Sequence, residues 1–162
     1  MTETTAITIE PWRPDLRPGD DGSHDADIAA IARLITELGY PTDVPTQRAR
    51  LARRMAIREA ISIDLLVARD RGAIVGLASV AALDIDLDEG ETVELRALVV
   101  LQERRGERIG EQLVLAAEAW AREHGATVLT LRTNVTRTDA HRFYERLGFV
   151  QTKTSRTYRI TL

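Results

Sequence analysis

The sequence of 162 residues predicts one mixed α/β domain, in which a mostly antiparallel sheet packs against helices. Short alternating or apolar runs that suit strands are separated by stretches with apolar residues at helical spacing. A strand–helix–strand succession over residues 93–133 has the form of a parallel crossover. No internal repeat, linker or low-complexity tract divides residues 1–162, so they are predicted to form a single domain.

The composition excludes several kinds of chemistry. The chain contains no cysteine, so disulfides, cysteine-ligated metals and a cysteine nucleophile are ruled out. Its three histidines lack metal-ligand spacing, and no metal site is predicted. The net charge of −3 argues against a nucleic-acid partner. Because the N-terminus is polar and no apolar run is long enough to span a membrane, no membrane partner is expected and a cytoplasmic location is predicted.

The N-terminal part predicts one strand and two helices. Residues 5–10 alternate as a strand does, and residues 13–22 are rich in Pro, Asp and Gly, which favours a loop. Apolar residues at helical spacing predict a first helix over residues 25–39, which ends at a glycine. A second helix is predicted over residues 46–60, with Thr46 as its cap.

Charged residues are concentrated in two segments. The second helix carries five arginines, and a solvated face explains them better than an anion site does. They are Arg48, Arg50, Arg53, Arg54 and Arg58. The loop over residues 84–91 is acidic, and it would attract a cationic substrate if it overhung a site, although a solvated turn explains it better.

The middle of the chain predicts a hairpin and a central strand. Residues 62–69 and 73–83 are strand-like and are joined by turn residues. The central strand, residues 93–101, has one apolar face, whereas its other face is polar at the start and apolar at the end. This alternation predicts a strand that is covered on both faces only in its second half, with Glu94 at an opening.

The C-terminal part begins with a turn that is rich in arginine and glycine. Such a turn before a helix directs backbone N–H groups and the helix dipole at a ligand, which favours a phosphate. A helix is predicted over residues 108–123 and a strand over 126–133. A short helix then ends at Gly148, and residues 149–154 and 156–162 are predicted to pair as a final hairpin.

Three stretches in series resemble the GCN5-related N-acetyltransferases, the GNAT superfamily. They are Val93–Gly110, Asn134 and Ala140–Phe149. The resemblance implies a GNAT-like fold, with a mostly antiparallel sheet of about six to seven strands and about four flanking helices. It also implies that the fourth and fifth strands splay apart at a bulge near Arg96 to Leu98. The implied activity is transfer of an acetyl group from acetyl-CoA directly to a primary amine in a ternary complex.

The family signature after the central strand is Gln or Arg, two residues, Gly, one residue, then Gly or Ala. Arg105 matches its first position and Gly110 its last, whereas Arg108 replaces the middle glycine. The resemblance implies that the amides of this loop hold the pyrophosphate of acetyl-CoA. The loop comprises Arg105, Gly106, Glu107, Arg108, Ile109 and Gly110. The Arg108 side chain either turns outward and leaves the site intact, which we favour, or shifts the loop and weakens binding.

Further cofactor contacts are implied by the same resemblance. The pantetheine arm is expected to bond, as an added strand would, to the backbone of Leu98 and Val100. Asn134 matches a position that contacts this arm, and Tyr144 matches a tyrosine near the cofactor sulfur. Backbone amides near Val99 or Val100 could polarise the thioester carbonyl, as an oxyanion hole does.

Two side chains are candidates for acid–base catalysis. A primary ammonium has a pKa of roughly 10.4, so a base must assist its deprotonation. Glu94 is the candidate base, acting through water, and an ion pair with Arg96 or another arginine is an equally weighted alternative. Tyr144 is the candidate acid toward the thiolate, and the alternative is a tyrosine whose hydroxyl is satisfied locally.

Other functions remain open from the sequence. The chain could be a catalytically idle acyl-CoA or nucleotide sensor, an interaction module that uses its arginine-rich helix, or an acetyltransferase of protein lysines or N-termini. For the acceptor we favour the amine of a small cationic molecule. By family analogy alone, a homodimer is a further expected partner.

Overall fold

The computed structural model describes residues 6–16, 22–83 and 91–162. Their strands and helices follow one another in this order: β1 (Thr8–Pro11), α1 (Asp25–Glu37), α2 (Val44–Ile57), β2 (Ile63–Asp70), β3 (Ala73–Leu83), β4 (Thr92–Val100), a 3₁₀ turn (Gln102–Arg104), α3 (Ile109–Glu123), β5 (Val128–Leu131) and α4 (Thr138–Arg146). The chain divides into two compact units, the first ending at Arg132 and the second beginning at Thr133.

The first unit is a sheet covered by helices. Its strands lie in the order β1-β2-β3-β4-β5, the first four antiparallel and β5 parallel to β4. Both α1 and α3 pack on β3, so β2 and β3 are buried along most of their length. The mixed α/β class, the β2–β3 hairpin and the parallel crossover are therefore confirmed.

A β-bulge at Arg96 interrupts the pairing of β3 with β4. Ser79 and Val80 are consecutive in β3, yet their partners in β4 are Ala97 and Leu95, which leaves Arg96 unpaired. The bulge lies in the segment where the resemblance placed it. Because one extra residue shifts the alternation, side chains before and after Arg96 exchange faces of the sheet.

The partners of β4 residues in β3 show which residues exchange faces, because the side chains of two antiparallel partners lie on the same face of the sheet. A Cβ on Gly76 would meet Leu113 and Ile109 of α3, so the partners of Gly76, Ala78, Val80 and Ala82 face α3. These partners are Val100, Leu98, Leu95 and Val93. The opposite face, which meets α2 at Ser79, carries Glu94, Ala97 and Val99. The single apolar face predicted for residues 93–101 was therefore wrong.

The edge of β4 that faces β5 is only partly paired. β5 pairs with β4 over Thr92–Leu95, and after Leu95 the two strands part. Leu98 and Val100 are half-buried rather than covered. The expectation that the second half of β4 is covered on both faces was wrong, since Leu98 and Val100 on the α3 face stay half-buried beside an edge that β5, which ends at Leu131, leaves open.

The second helix starts earlier than its sequence suggested. Asp43 is its N-cap, and the carboxylate Oδ1 accepts the Thr46 backbone N–H at 2.7 Å. Pro45 lies in the first turn, where its missing N–H costs little. The helix ends at Ile57, so the prediction of a Thr46 cap and an end at Ala60 was wrong.

The second unit contains α4 and an extended tail. Residues 149–162 form no strand, and they are exposed apart from Phe149, which is half-buried. The predicted final hairpin was therefore wrong, and the part of the chain that the structure describes has five strands instead of six to seven. Val150, Tyr158, Ile160 and Leu162 are all more than 80% exposed. An isolated hairpin with so few buried apolar groups is marginal in water.

Candidate active site

Helix α1 holds the turn between β4 and α3 in place. The Gln102 backbone N–H donates to Glu37 Oε2 at 2.9 Å, and Arg33 Nη2 donates to Glu103 Oε1 at 2.7 Å. The position of the turn therefore depends on contacts with α1, which is far away in the sequence, although the turn itself is a short continuous segment.

Both terminal nitrogens of Arg104 form ion pairs with carboxylates of the protein. Its Nη1 lies 2.8 Å from Asp70 Oδ2, and its Nη2 lies 2.8 Å from Glu107 Oε2. The hydrogen bonds to Glu107 and Asp70 raise the pKa of Arg104, and the bond from Arg104 lowers the pKa of Glu107. Arg104 therefore fixes the turn and is not available to a ligand.

Arg105 is the least committed cation of the loop. Its side chain is 57% exposed, and its ion pair with Glu37 is loose at 3.8 Å. Its Nε donates to the Val100 carbonyl oxygen at 3.3 Å. This guanidinium therefore lies beside the edge of β4 and remains accessible to an anion.

Arg108 adopts the backbone conformation that glycine adopts most easily. Its φ of 61° and ψ of 14° lie in the left-handed region, at the N-cap of α3. The side chain is 76% exposed and pairs with Glu111 at 2.8 Å, a contact that raises the pKa of Arg108. Of the two outcomes expected for this position, the outward-turned side chain is the one observed.

The start of α3 presents free backbone donors. The first intrahelical hydrogen bond runs from the Gln112 N–H to the Arg108 carbonyl at 3.1 Å. The N–H groups of Ile109 and Gly110 precede this bond and have no acceptor within the helix. Gly106, at φ 88°, turns the chain into this position. Such donors, with the positive end of the helix dipole, suit a phosphate.

The open edge of β4 presents backbone groups next to this loop. The Leu101 N–H donates to the Val75 carbonyl of β3 at 3.0 Å, so the Val100 carbonyl of the same peptide points away from β3. The N–H and C=O groups of one strand residue point to the same side, so the backbone groups of Val100 and Leu98 point to the open edge. Val99 faces β3 instead, where Leu77 is its partner. Of the two amides suggested for carbonyl polarisation, Val100 is therefore the accessible one.

Glu94 is paired with two arginines. Its Oε1 lies 3.2 Å from Arg132 Nε, its Oε2 lies 3.7 Å from Arg96 Nε, and its side chain is only 13% exposed. The ion-pair alternative is therefore present in the structure. A catalytic role for Glu94 stays a prediction, and it requires a carboxylate that works from within this ion pair.

The second unit contains the two remaining candidates, Asn134 and Tyr144. Asn134 Oδ1 accepts the Thr136 backbone N–H at 3.0 Å, which leaves its amide N–H groups as donors. Tyr144 packs edge-on against Phe143 and Phe149, with ring centroids 5.1 and 5.6 Å away. Burial raises the pKa of the Tyr144 hydroxyl, against a smaller opposing effect of Arg137. The hydroxyl therefore remains protonated through the neutral range.

One cluster that the structure assembles was missed in the sequence. Arg54 is half-buried on the inner face of α2, and its Nη2 donates to Ser79 Oγ at 2.7 Å and to the Asp64 carbonyl at 3.0 Å. It does not belong to a solvated face. The spacing of Gln47, Leu51 and Arg54 at i, i+4 and i+7 could have indicated this, since the first two are buried.

Across residues 6–16, 22–83 and 91–162, histidine and carboxylate side chains form no group of three or more that could hold a metal ion. In the same ranges no helix is long and apolar enough to cross a membrane. Residues 84–90 of the acidic loop lie outside the described residues, so its effect on an acceptor stays a prediction.

Sequence comparisons identify relatives. The model of the acetyltransferase (GNAT) family matches residues 29–149. The aminoalkylphosphonate N-acetyltransferase of Salmonella typhimurium is 38% identical over 104 residues, which cover 59% of this chain and 67% of the relative. An uncharacterized N-acetyltransferase of Bacillus subtilis is 30% identical over 117 residues, which cover 72% of this chain and 80% of the relative.

A solved structure shows the same fold. The aminoglycoside N-acetyltransferase AAC(6')-Iy, in complex with CoA, has a TM-score of 0.80 and 17% identity, covering 100% of this chain and 99% of its own. The family model spans more than half of the chain, and both sequence relatives reach 30% identity. The chain therefore belongs to the acetyltransferase (GNAT) family and is an acyltransferase.

Proposed function

We propose that the protein transfers an acetyl group from acetyl-CoA directly to the primary amine of a small molecule. The observation that carries this proposal is the unpaired edge of β4 next to the free N–H groups of α3. The edge suits an extended arm with amide groups, and the helix start suits a pyrophosphate. Both features belong to the first unit and lie within the span that the family model matches.

The residues of the loop have distinct tasks in this proposal. The amides from Arg105 to Gly110 bind the pyrophosphate, and the exposed Arg105 guanidinium adds charge-assisted contacts. Leu98 and Val100 pair with the pantetheine arm through their backbone groups. Asn134 binds the arm through its amide N–H groups. For the Val100 carbonyl to accept from the arm, the Arg105 side chain must first release it.

Acetyl-CoA supplies a thioester carbonyl carbon, which the neutral amine attacks, so that a C–N bond forms and the C–S bond breaks. Glu94 accepts the proton that the ammonium loses, through water. The Val100 N–H donates to the carbonyl oxygen as negative charge develops on it. Tyr144 donates its proton to the departing thiolate, and its raised pKa keeps that proton available. The second proton, which the nitrogen loses as the amide forms, returns to the Tyr144 oxygen and restores the acid.

The names of the relatives support a small acceptor. One relative is named for the acetylation of aminoalkylphosphonates, and one structural neighbour for that of aminoglycosides. The sequence relative, at 38% identity, is named for a small amine acceptor, which favours this class over a protein lysine or N-terminus. We further propose that residues 1–162 form one domain, since the family model spans the boundary between the two units. A cytoplasmic location and a homodimer stay predictions.

Titration calorimetry with acetyl-CoA and an assay of coenzyme A release test the proposal together. We expect saturable binding of acetyl-CoA and thiol release with at least one small amine. Binding without release across a broad amine panel would instead favour the idle sensor. Absence of binding would exclude both the enzyme and the sensor.

A further inference from the structure

We infer that Arg54 and Arg96 bind a dianionic group, a phosphonate or phosphate, on the amine acceptor. The inference deepens the proposed function and rests on it. It assigns a specificity role to a cluster of three side chains on the α2 face of the sheet: Arg54, Ser79 and Arg96.

Within the described residues no carboxylate forms an ion pair with Arg54, although the Asp64 carboxylate attracts it electrostatically and raises its pKa against the effect of burial. The two hydrogen bonds of Arg54 go to the Ser79 hydroxyl and the Asp64 backbone carbonyl, both from Nη2. The Asp64 carboxylate is engaged by Arg13, at 2.6 and 2.9 Å, and by Trp120 Nε1 at 3.2 Å. Within the described residues, Arg54 Nε is enclosed without an acceptor.

A second cation lies near the first. Arg96 is the bulged residue of β4, opposite the step from Ser79 to Val80, and Arg54 is bonded to this same Ser79. Burial first, and then repulsion from Arg96, lower the pKa of Arg54. Arg96 is 57% exposed, so a ligand can reach it. A half-buried cation beside a second cation is costly unless an anion compensates both.

The local charges indicate the kind of anion. Among the described residues, three guanidiniums, from Arg54, Arg96 and Arg132, stand against the carboxylate of Glu94. The Asp64 carboxylate, which also attracts Arg54, is neutralised by its ion pair with Arg13, so these described side chains carry an excess of two positive charges. A phosphonate or phosphate monoester carries about two negative charges at neutral pH and accepts hydrogen bonds through three oxygens. A carboxylate would neutralise only half of this excess.

The position of the cluster suits an acceptor. Glu94 and Ala97 lie on the α2 face, the same face as Ser79. A dianion held by Arg54 and Arg96 would keep an aminoalkyl acceptor beside the candidate base. Substrate positioning of this kind contributes to rate by fixing the reacting groups near one another.

Four amines with the same two-carbon spacing between nitrogen and terminal group test the inference. They are 2-aminoethylphosphonate, O-phosphoethanolamine, β-alanine and propylamine, each assayed by coenzyme A release. We expect kcat/KM for the phosphonate or the phosphate ester to exceed that for propylamine by at least about tenfold, with β-alanine between them. The first two amines separate a phosphonate from a phosphate ester.

Variants assign the preference to the cluster. Arg96→Gln, at an exposed position, should lower the ratio of kcat/KM for the dianionic amine over propylamine by about tenfold, and Arg54→Lys should lower it because the planar fork is lost. Arg53→Gln removes an exposed arginine of the same helix and should keep the wild-type ratio. Thermal melting confirms that each variant is folded.

The outcomes separate this inference from the proposed function. A wild-type enzyme with the same kcat/KM for propylamine as for the dianionic amines would overturn the inference alone. An equal loss of kcat/KM for all four amines in Arg96→Gln would do the same. Binding of acetyl-CoA without release from any of the four amines would also overturn it. Failure to bind acetyl-CoA would contradict the proposed function itself.

Discussion

Arg108 pairs with Glu111 through Nε and Nη2, at 2.9 and 2.8 Å, while its own backbone lies in the left-handed region. The pair holds the side chain against the first turn of α3. An arginine thus occupies a position for which glycine is suited, and it does so with a backbone penalty that an L-residue bears and glycine does not.

The first prediction concerns this penalty. Arg108→Gly should melt about 3 °C higher than Arg108→Ala, because both lose the ion pair but only glycine relaxes at positive φ. The same two substitutions at Arg122, inside α3, should give the opposite order, since alanine is the better helix residue. A glycine variant at position 108 that melts below the alanine variant would show that this backbone is not strained.

The second prediction concerns Tyr144. Tyr144→Phe should lower kcat by about a hundredfold, the usual contribution of a general acid, with a much smaller change in acetyl-CoA affinity. Burial raises the pKa of Tyr144, so wild-type activity should fall only as the pH rises through that raised value. The Phe variant should lack this alkaline fall. Tyr158→Phe, in the exposed tail, is the matched control; equal turnover in wild type and Tyr144→Phe would exclude the acid role.

The third prediction concerns Glu94. Glu94→Gln should depress the rate most at lower pH, because the protonated amine then depends most on a base. The expected loss is about tenfold to a hundredfold, read from pH–rate profiles.

Arg132→Gln is the control for Glu94, since it removes the tighter ion pair and leaves the carboxylate. This variant should keep the pH dependence of the wild type. If Glu94→Gln leaves the profile unchanged, or both variants alter it alike, Glu94 serves the ion pair and not the proton transfer.

The fourth prediction concerns stability and pH. The Arg69 guanidinium holds the pKa of Asp27 below its ordinary value of 3.8, with help from Trp12 Nε1 at 2.8 Å. A lowered folded pKa stabilises the protein above the unfolded pKa, and this contribution is lost as the pH falls through the folded value. Asp27→Asn should therefore cost about 1 kcal/mol near neutral pH, after solvent screening, and progressively less below the ordinary value.

Urea unfolding at neutral and acidic pH measures this difference. Glu123→Gln removes an exposed carboxylate from the first unit and should leave the free energy of unfolding nearly unchanged at neutral pH. A difference between wild type and Asp27→Asn that stays constant down to strongly acidic pH would contradict the linkage to Asp27.

Much of the fold could be predicted because its signals are local. Two apolar runs with turn residues between them predict the hairpin of β2 and β3. A strand followed by an amphipathic helix predicts the parallel crossover. The final hairpin failed for a physical reason. Residues 149–162 alternate weakly, but a strand needs a partner that buries its apolar side chains, and here they remain exposed.

The candidate site likewise has features that the sequence predicts and features that depend on packing. The loop from Arg105 to Gly110 could be located from its residues, because its glycines and its place before a helix are sequence properties. Arg54 was not singled out among the five arginines of its helix: its spacing from Gln47 and Leu51 is a weak signal, and its contact with Ser79 depends on packing. The partners of Glu94 likewise depend on strands that are far apart in the chain.

By itself, the sequence determined the mixed α/β class, the family resemblance and the place of the anion-binding turn, since all three rest on short motifs in a set order. The resemblance implied a bulge near Arg96 to Leu98, but only the tertiary structure decided that Arg96 is the unpaired residue, and with it which side chains share a face with Glu94. The period of two in a strand cannot show an unpaired residue, because the register is set by hydrogen bonds to a neighbouring strand. The tertiary structure also decided the left-handed backbone of Arg108, which is the N-cap of α3.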